Sequence, residues 1–256
     1  MGLPDNGVVD KVCRLLPAAG ALGCSDFVTE EQKRAVRYPV MSAPLAVDVD
    51  RFEKVRSLSA GQLKRQLGFD PDRPLIGIVG RLQRWKGMHT FAEAMAKVIL
   101  VRPDCQGVII GGAHDLEPEY ARWLEQRVEQ LGLRGKVRLA GKQNNIPEWM
   151  QAMDIFVHAS EREPFGIVVV EAMSLGKPVV ATKPGGPEEV IEHRENGLLV
   201  PPNDASSLAN AILNYLSDPG FAARIGSAAR KRALEFNPER FGHGVLEALK
   251  RFAKSS

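Results

Sequence analysis

Cysteine is scarce. Cys13, Cys24 and Cys105 form an odd set with no CxxC spacing, which excludes a disulfide framework and a thiolate metal knuckle as the basis of the fold. They read as buried thiols of a reducing compartment. Long apolar runs are missing as well: no segment approaches the roughly 20 residues a membrane-spanning helix requires. Met1–Asp5 lacks the basic start and apolar stretch of a signal peptide, so a cytoplasmic location is expected. Charge of one sign is not concentrated either. The 34 Lys and Arg stand against 31 Asp and Glu, a net charge of +3, whereas nucleic acid is held by a dense basic face; no nucleic-acid partner is expected. The five histidines, His89, His114, His158, His193 and His243, show neither HxxxH nor HExxH spacing, and GxGxxG and Walker loops are absent.

What is present is a repeating unit. From Leu75 onward, short β-branched runs alternate with longer segments of helical period, the pattern of an α/β doubly wound parallel sheet. The runs predict strands at Leu75–Val79, Gly107–Ile110, Val137–Leu139, Ile155–His158, Pro178–Ala181 and Leu198–Val200. Their near-continuous hydrophobicity fits strands covered on both faces. Helices are predicted at His89–Val101, Glu117–Leu131, Pro147–Met153, Ile167–Leu175 and Pro187–Glu192, and a helical tail over Ala205–Leu216, Phe221–Phe236 and Pro238–Ala253. The first 70 residues differ. Gly20–Cys24 reads as a small strand, Val28–Val36 as a polar helix, Ser42–Arg51 as a linker, and Ser59–Leu67 as a fresh amphipathic helix, while Pro39 to Pro44 show no clear period.

Three stretches carry chemistry. In Glu163-Pro164-Phe165-Gly166-Ile167-Val168-Val169-Val170-Glu171, two carboxylates sit eight positions apart across a loop-to-helix junction. Gly166 permits close backbone approach, and the amides of Phe165, Gly166 and Ile167 stand at a helix N-terminus, where free N–H groups attract anions. Glu171 projects from the helix, where a carboxylate can hold a diol; Glu163 precedes the helix. A phosphate cradle flanked by two hydroxyl acceptors suits a sugar nucleotide. The alternative is a solvated loop acid and a helix-surface acid, although the apolar neighbours of Glu171 require a partner for it. Gly80-Arg81-Leu82-Gln83-Arg84-Trp85-Lys86-Gly87 follows the first strong strand, the side on which doubly wound sheets bind ligands. Arg81 and Lys86 there could neutralise a diphosphate, or the loop could simply be solvated. Lys183-Pro184-Gly185-Gly186-Pro187-Glu188-Glu189 offers another anion-friendly turn, or a tight turn into a helix. Arg84 and Trp85 receive no role.

Taken together, the ordered stretches resemble the donor-binding half of GT-B glycosyltransferases, specifically the large retaining group called family four. The stretches are Gly80-Arg81-Leu82 with Lys86-Gly87; Ser160 with Glu163-Pro164-Phe165-Gly166 and Glu171-Ala172-Met173; Gly176-Lys177-Pro178-Val179-Val180; Gly185-Gly186 with Glu189; and Asn196-Gly197-Leu198-Leu199-Val200. The resemblance runs from about Arg73 to Pro202 and more loosely to the C-terminus. It implies a Rossmann-like domain, the C-terminal domain of a GT-B enzyme, that binds a nucleotide diphosphate sugar and transfers a hexose with retention of configuration. Arg81 and Lys86 would hold the donor diphosphate beside Gly80, Glu171 the ribose hydroxyls and Glu163 the transferred sugar. The amides of Phe165, Gly166 and Ile167 would contact the sugar or phosphate, Gly185 and Gly186 would line the donor, and Gly141-Lys142-Gln143 would lie beside the base.

No metal and no cofactor beyond the donor are expected. Asp48-Val49-Asp50 has the DxD form used for metals by the other large glycosyltransferase architecture, but here it lies in what resembles the interdomain linker. Residues 1–54 are read as a remnant of an acceptor domain plus linker, and residues 55–256 as the nucleotide-sugar-binding domain. The acceptor side would then come from a partner chain or missing domain. Two other classes stay open: a non-catalytic nucleotide-sugar-binding module, and a doubly wound sugar-phosphate enzyme such as an epimerase.

Overall fold

The computed structural model describes residues 18–255; Cys13 and the first residues of the expected acceptor-domain remnant lie outside them. Six parallel strands form the main sheet: β3 (Leu75–Val79), β4 (Gln106–Ile110), β5 (Val137–Gly141), β6 (Ile155–His158), β7 (Val179–Thr182) and β8 (Leu198–Val200). Their order is β5-β4-β3-β6-β7-β8, a doubly wound Rossmann-like arrangement. All six were predicted, with ends that differ by two residues at most.

Alternation along each strand divides the core between the two faces of the sheet. Ile76, Ile78, Ile109, Ile155, Val157 and Val180 face one cluster, and Leu75, Val108, Ile110, Phe156, Val179 and Ala181 face the other. The first cluster is covered by α4 (Met88–Val101), α5 (Pro118–Gln130) and α9 (Ala205–Ser217). In α4 the buried residues Met88, Phe91, Ala92, Met95 and Val98 recur at helical spacing. The second cluster is covered by α3 (Ala60–Gln66), α6 (Ile146–Ala152), α7 (Ile167–Ser174) and α10 (Pro219–Ala233). Two further helices, α8 (Pro187–Val190) and α11 (Pro238–Ser255), follow β7 and close the described chain. Among the described residues no helix is long and apolar enough to cross a membrane.

The amino-terminal part departs from its expected reading in two places. Val40–Ser42, in the stretch without period, is a strand (β2) that pairs in parallel with β1 (Ala21–Gly23) across α1 (Asp26–Ala35). Its three residues gain their conformation from that distant partner. The expected linker continues into a helix, α2 (Val49–Arg56), which buries Phe52 and Val55 against the second cluster. Asp48 of the DxD sequence is its N-cap, accepting the Arg51 amide at 3.3 Å, a task that fully accounts for a carboxylate at that position.

Candidate functional site

The sheet order reverses between β3 and β6, since the chain leaves β3 for β4 on one side and β6 for β7 on the other. Such a reversal leaves a crevice at the carboxyl ends of the two strands, where ligands of these folds bind. The loops that leave β3 and β6 are the Gly80–Gly87 and Ala159–Gly166 stretches, so two of the three sequence motifs meet here. Gly87 makes the meeting possible. It adopts φ 68° at the start of α4, and a side chain on it would run into the carbonyl of Ala159. The Glu161 amide donates to the Trp85 carbonyl at 2.8 Å, joining the loops a second time.

Across this joint Lys86 Nζ lies 2.6 Å from Glu163 Oε2. His158 Nε2 approaches the same oxygen at 3.0 Å, and Ser160 Oγ donates to it at 3.1 Å. The hydroxyl also lies 3.0 Å from His158 Nε2, and Thr182 Oγ1 donates to the Ser160 carbonyl at 2.5 Å. Three donors thus converge on Oε2, and none of the three reaches Oε1. Burial alone would raise the pKa of Glu163, but the hydrogen bond and charge of His158, together with those of Lys86, outweigh it and hold the carboxyl at about 2. Burial lowers the pKa of Lys86; Glu163 opposes that shift and Arg81 adds to it. The Lys86 ammonium also sits over the Trp85 ring, 4.0 Å from its centre.

Glu171 has a different setting. It stands on α7, partly buried, and burial pushes its carboxyl up to about 6, with only the charge of Arg51 on α2 acting to lower it. Gly166, at φ 95°, begins α7; the Val169 and Val170 amides donate to its carbonyl at 2.9 and 3.3 Å, which leaves the amides of Ile167 and Val168 without intrahelical partners. The Phe165 ring is buried edge-on against Phe236, 5.6 Å between centres. Ile167 is 40% exposed, an apolar residue at the lip of the crevice.

Arg81 is exposed beside the crevice, its Nη1 3.3 Å from His114 Nε2. The Gly80 amide donates to the Ile110 carbonyl at 3.0 Å, so Gly80 serves to bring the ends of β3 and β4 together. Lys142 is exposed and packs beside Gly112, whereas Gln143 turns inward, its side-chain amide donating to the Ala140 carbonyl at 2.6 Å.

The turn at Gly185-Gly186 requires a correction. Its amides are not an open anion cradle: Gly186 donates to the Glu163 carbonyl at 2.8 Å and Gly185 to Glu188 Oε2 at 3.3 Å. A side chain on Gly186 would meet the backbone of Phe165. The turn braces the motif loop from behind. Glu189, three residues beyond Gly186, accepts the amides of Asp26 and Phe27 at 2.8 and 2.6 Å and so caps α1. Ser25 donates to the Pro164 carbonyl at 2.6 Å, and Arg162 forms an ion pair with Glu31.

Sequence reasoning sets His158 at a strand end near the motif loop, with a packed or capping role expected over one lining the cleft, and leaves Arg84 without a role. His158 and Ser160 are two positions apart at a strand end, a spacing that puts both on one side, and Glu163 follows where the loop returns. Arg84 stacks over Trp123 at 4.5 Å, and its amide donates to Glu117, so it anchors the loop after β3 to α5. Among the described residues no group of three His, Cys, Asp or Glu comes together as a metal site.

The sequence profile described as Glycosyl transferases group 1 matches residues 60–232. The chain is 30% identical over 202 residues to a lipopolysaccharide core biosynthesis mannosyltransferase of Rhizobium meliloti, covering 78% of this chain and 57% of that one. It spans about half the length of the curated relatives it matches. The crystal structure of Anabaena HepE in complex with UDP and glucose superposes with a TM-score of 0.83 at 31% identity, over 91% of this chain and 63% of that one. The C-terminal domain of a Francisella tularensis glycosyl transferase group 1 protein, at 32% identity and TM-score 0.66, is matched over 73% of this chain and 96% of its own length. With the sheet, the paired loops and these likenesses in agreement, the chain belongs to the glycosyl transferases group 1 family.

Proposed function

We propose that residues 55–256 bind a nucleotide diphosphate sugar across the carboxyl ends of β3 and β6, and that the whole protein transfers the hexose to an acceptor with retention of anomeric configuration. The convergence of Lys86, His158 and Ser160 on one oxygen of Glu163, at the point where the strand order reverses, carries this reading. Arg81 and Lys86 neutralise the diphosphate as it departs, preorganised charge of the kind that contributes several kcal/mol in a water-poor site. Glu163 holds the transferred sugar through Oε1. Glu171 takes the ribose hydroxyls, and the amides of Phe165, Gly166 and Ile167 receive a phosphate at the start of α7. The base lies toward Gly141-Lys142-Gln143. The relative crystallised with UDP and glucose, 31% identical, supports a nucleotide-sugar donor. In this reading the two cations take the part that a metal has in other transferases. A cytoplasmic location belongs to the same reading and rests on the scarce cysteines, of which Cys24 and Cys105 are unpaired.

The chain spans about half the length of its curated relatives, and that observation favours a second reading: donor binding without turnover until a partner chain or further domain supplies the acceptor side. A thermal-shift panel of UDP-, GDP- and ADP-sugars tests the shared part, since binding stabilises the fold as RT ln(1 + [L]/Kd). One donor class is expected to raise Tm, and Arg81→Ala to flatten the response. An unchanged response in Arg81→Ala overturns the diphosphate assignment. Release of nucleoside diphosphate from the selected donor, abolished by Glu163→Ala, separates the transferase from the binding module.

A further inference from the structure

His114 stands outside every motif read from the sequence. It follows β4, 33 positions beyond Arg81, yet adjacent strand ends bring the two together. The Leu82 amide donates to the Gly112 carbonyl at 3.0 Å, Leu82 and Ala113 form a parallel bridge, and a side chain on Gly111 would strike the Gly80 carbonyl. From the other side the loop is held by the Arg84 amide on Glu117 Oε2 at 3.0 Å. Both residues therefore occupy fixed positions at the rim of the crevice.

Their contact has an internal contradiction that points to a ligand. The Leu116 amide donates to His114 Nδ1 at 3.2 Å, so Nδ1 carries the lone pair and Nε2 carries the proton. Nε2 is also the nitrogen that lies 3.3 Å from Arg81 Nη1, and a guanidinium has only donors. Two N–H groups consequently face the same space with neither able to accept from the other. An anionic oxygen placed between them takes both bonds, and a phosphoryl group offers oxygens enough to do so in a charge-assisted manner.

Building on the donor-binding reading, we propose that His114 is a second phosphate-binding residue, which shares with Arg81 the phosphoryl group of the nucleoside diphosphate farther from the nucleoside. The amides opening α7 take the nearer group, so the two ends of the diphosphate are read by different parts of the crevice: backbone on one side, and the Arg81–His114 pair on the other. Selectivity for diphosphate over monophosphate then rests on His114 as well as on the cations.

Isothermal titration with UDP, GDP and ADP, and with the monophosphate of whichever binds best, tests this on the full chain. His114→Ala is expected to weaken diphosphate binding about tenfold and to leave monophosphate binding within twofold. His114→Gln, whose side-chain amide can donate from nearly the same place, is expected to recover most of the loss. In an Arg81→Ala background the His114→Ala change should cost little more, because the two share one ligand group. Long-range 1H–15N correlation spectra should show a protonated Nε2 and a bare Nδ1. Equal losses for monophosphate and diphosphate, or the opposite tautomer, would overturn the proposal. So would diphosphate binding within twofold of the unaltered chain while Arg81→Ala still weakens it, a result that leaves the donor-binding reading standing. Failure of the unaltered chain to bind any of the three diphosphates overturns both.

Discussion

The two ends of one short segment hold carboxylates in opposite electrostatic states. Glu163, in the loop, is surrounded by donors and titrates at about 2; Glu171, on the helix, sits among apolar side chains and titrates at about 6. Glu163 is buried and Glu171 half-buried, and burial pushes both pKa values up, so burial does not explain why they part. The difference lies in what the loops bring up: Lys86, His158 and Ser160 at one end, and at the other only the Arg51 charge, offset from contact. A carboxylate already satisfied by the protein is rigid and preorganised. One that is desolvated and unsatisfied has bonds left to accept, as the proposed contact with ribose hydroxyls requires. The contrast separates a group suited to orient reacting atoms from one suited to bind.

The two carboxylates should differ most in kinetics. Glu163→Gln is expected to lower kcat for donor turnover about 100-fold, equivalent to about 2.7 kcal/mol, whereas Glu171→Gln should raise KM about tenfold with kcat changed only a few-fold; steady-state assays on the selected donor read both. If the two variants behave alike, the division of roles fails.

Stability gives the next largest effect. Lys86→Met leaves Glu163 buried with His158 and Ser160 as its remaining donors, and is expected to cost about 2–3 kcal/mol in urea denaturation, with the Lys86→Met/Glu163→Met double variant recovering much of it.

The pH dependence follows from signs. The Glu163 pKa lies below its ordinary value of 4.5, so its contribution to stability is present above pH 4.5 and is lost as pH falls toward 2. The Glu171 pKa lies above 4.5, so the fold favours its neutral form, and stability is lost as pH rises from 4.5 through 6. Glu171→Gln should therefore stabilise the unliganded chain by up to about 2 kcal/mol above pH 6, with the gain vanishing below pH 4.5 in melting curves. The smallest effect is expected from Arg51→Ala: removing the only charge that lowers the Glu171 pKa should move its NMR titration upward, with no change at Glu163.

How much of this was readable from the chain depended on whether each residue's partners were near in sequence. β3, β4 and β6 announce themselves because strands covered on both faces are β-branched throughout and end in glycine or a loop. β2 does not, since three residues between Pro39 and Pro44 become a strand only by pairing with β1. α2 was hidden because Val47-Asp48-Val49-Asp50 alternates, and its apolar face, Phe52 and Val55, has meaning only against the sheet. Within the site, Glu163, Glu171, Arg81 and Lys86 stood out by type and spacing. The convergence on Oε2 required the contact between Gly87 and Ala159, and the meeting of His114 with Arg81 required β3 and β4 to be neighbours. The Gly185-Gly186 turn stayed open between two readings because a glycine pair looks the same whether its amides are open or already bonded to another loop.

That turn has a mechanical consequence. The Gly186 amide grips the backbone of Glu163, and three residues later the Glu189 carboxylate grips the first turn of α1. The two grips are separated by a single stiff turn opened by Pro187. The loop that carries Glu163 and the unit that precedes the sheet therefore hang on one short support, and a change that loosens Pro187–Val190 should loosen both at once.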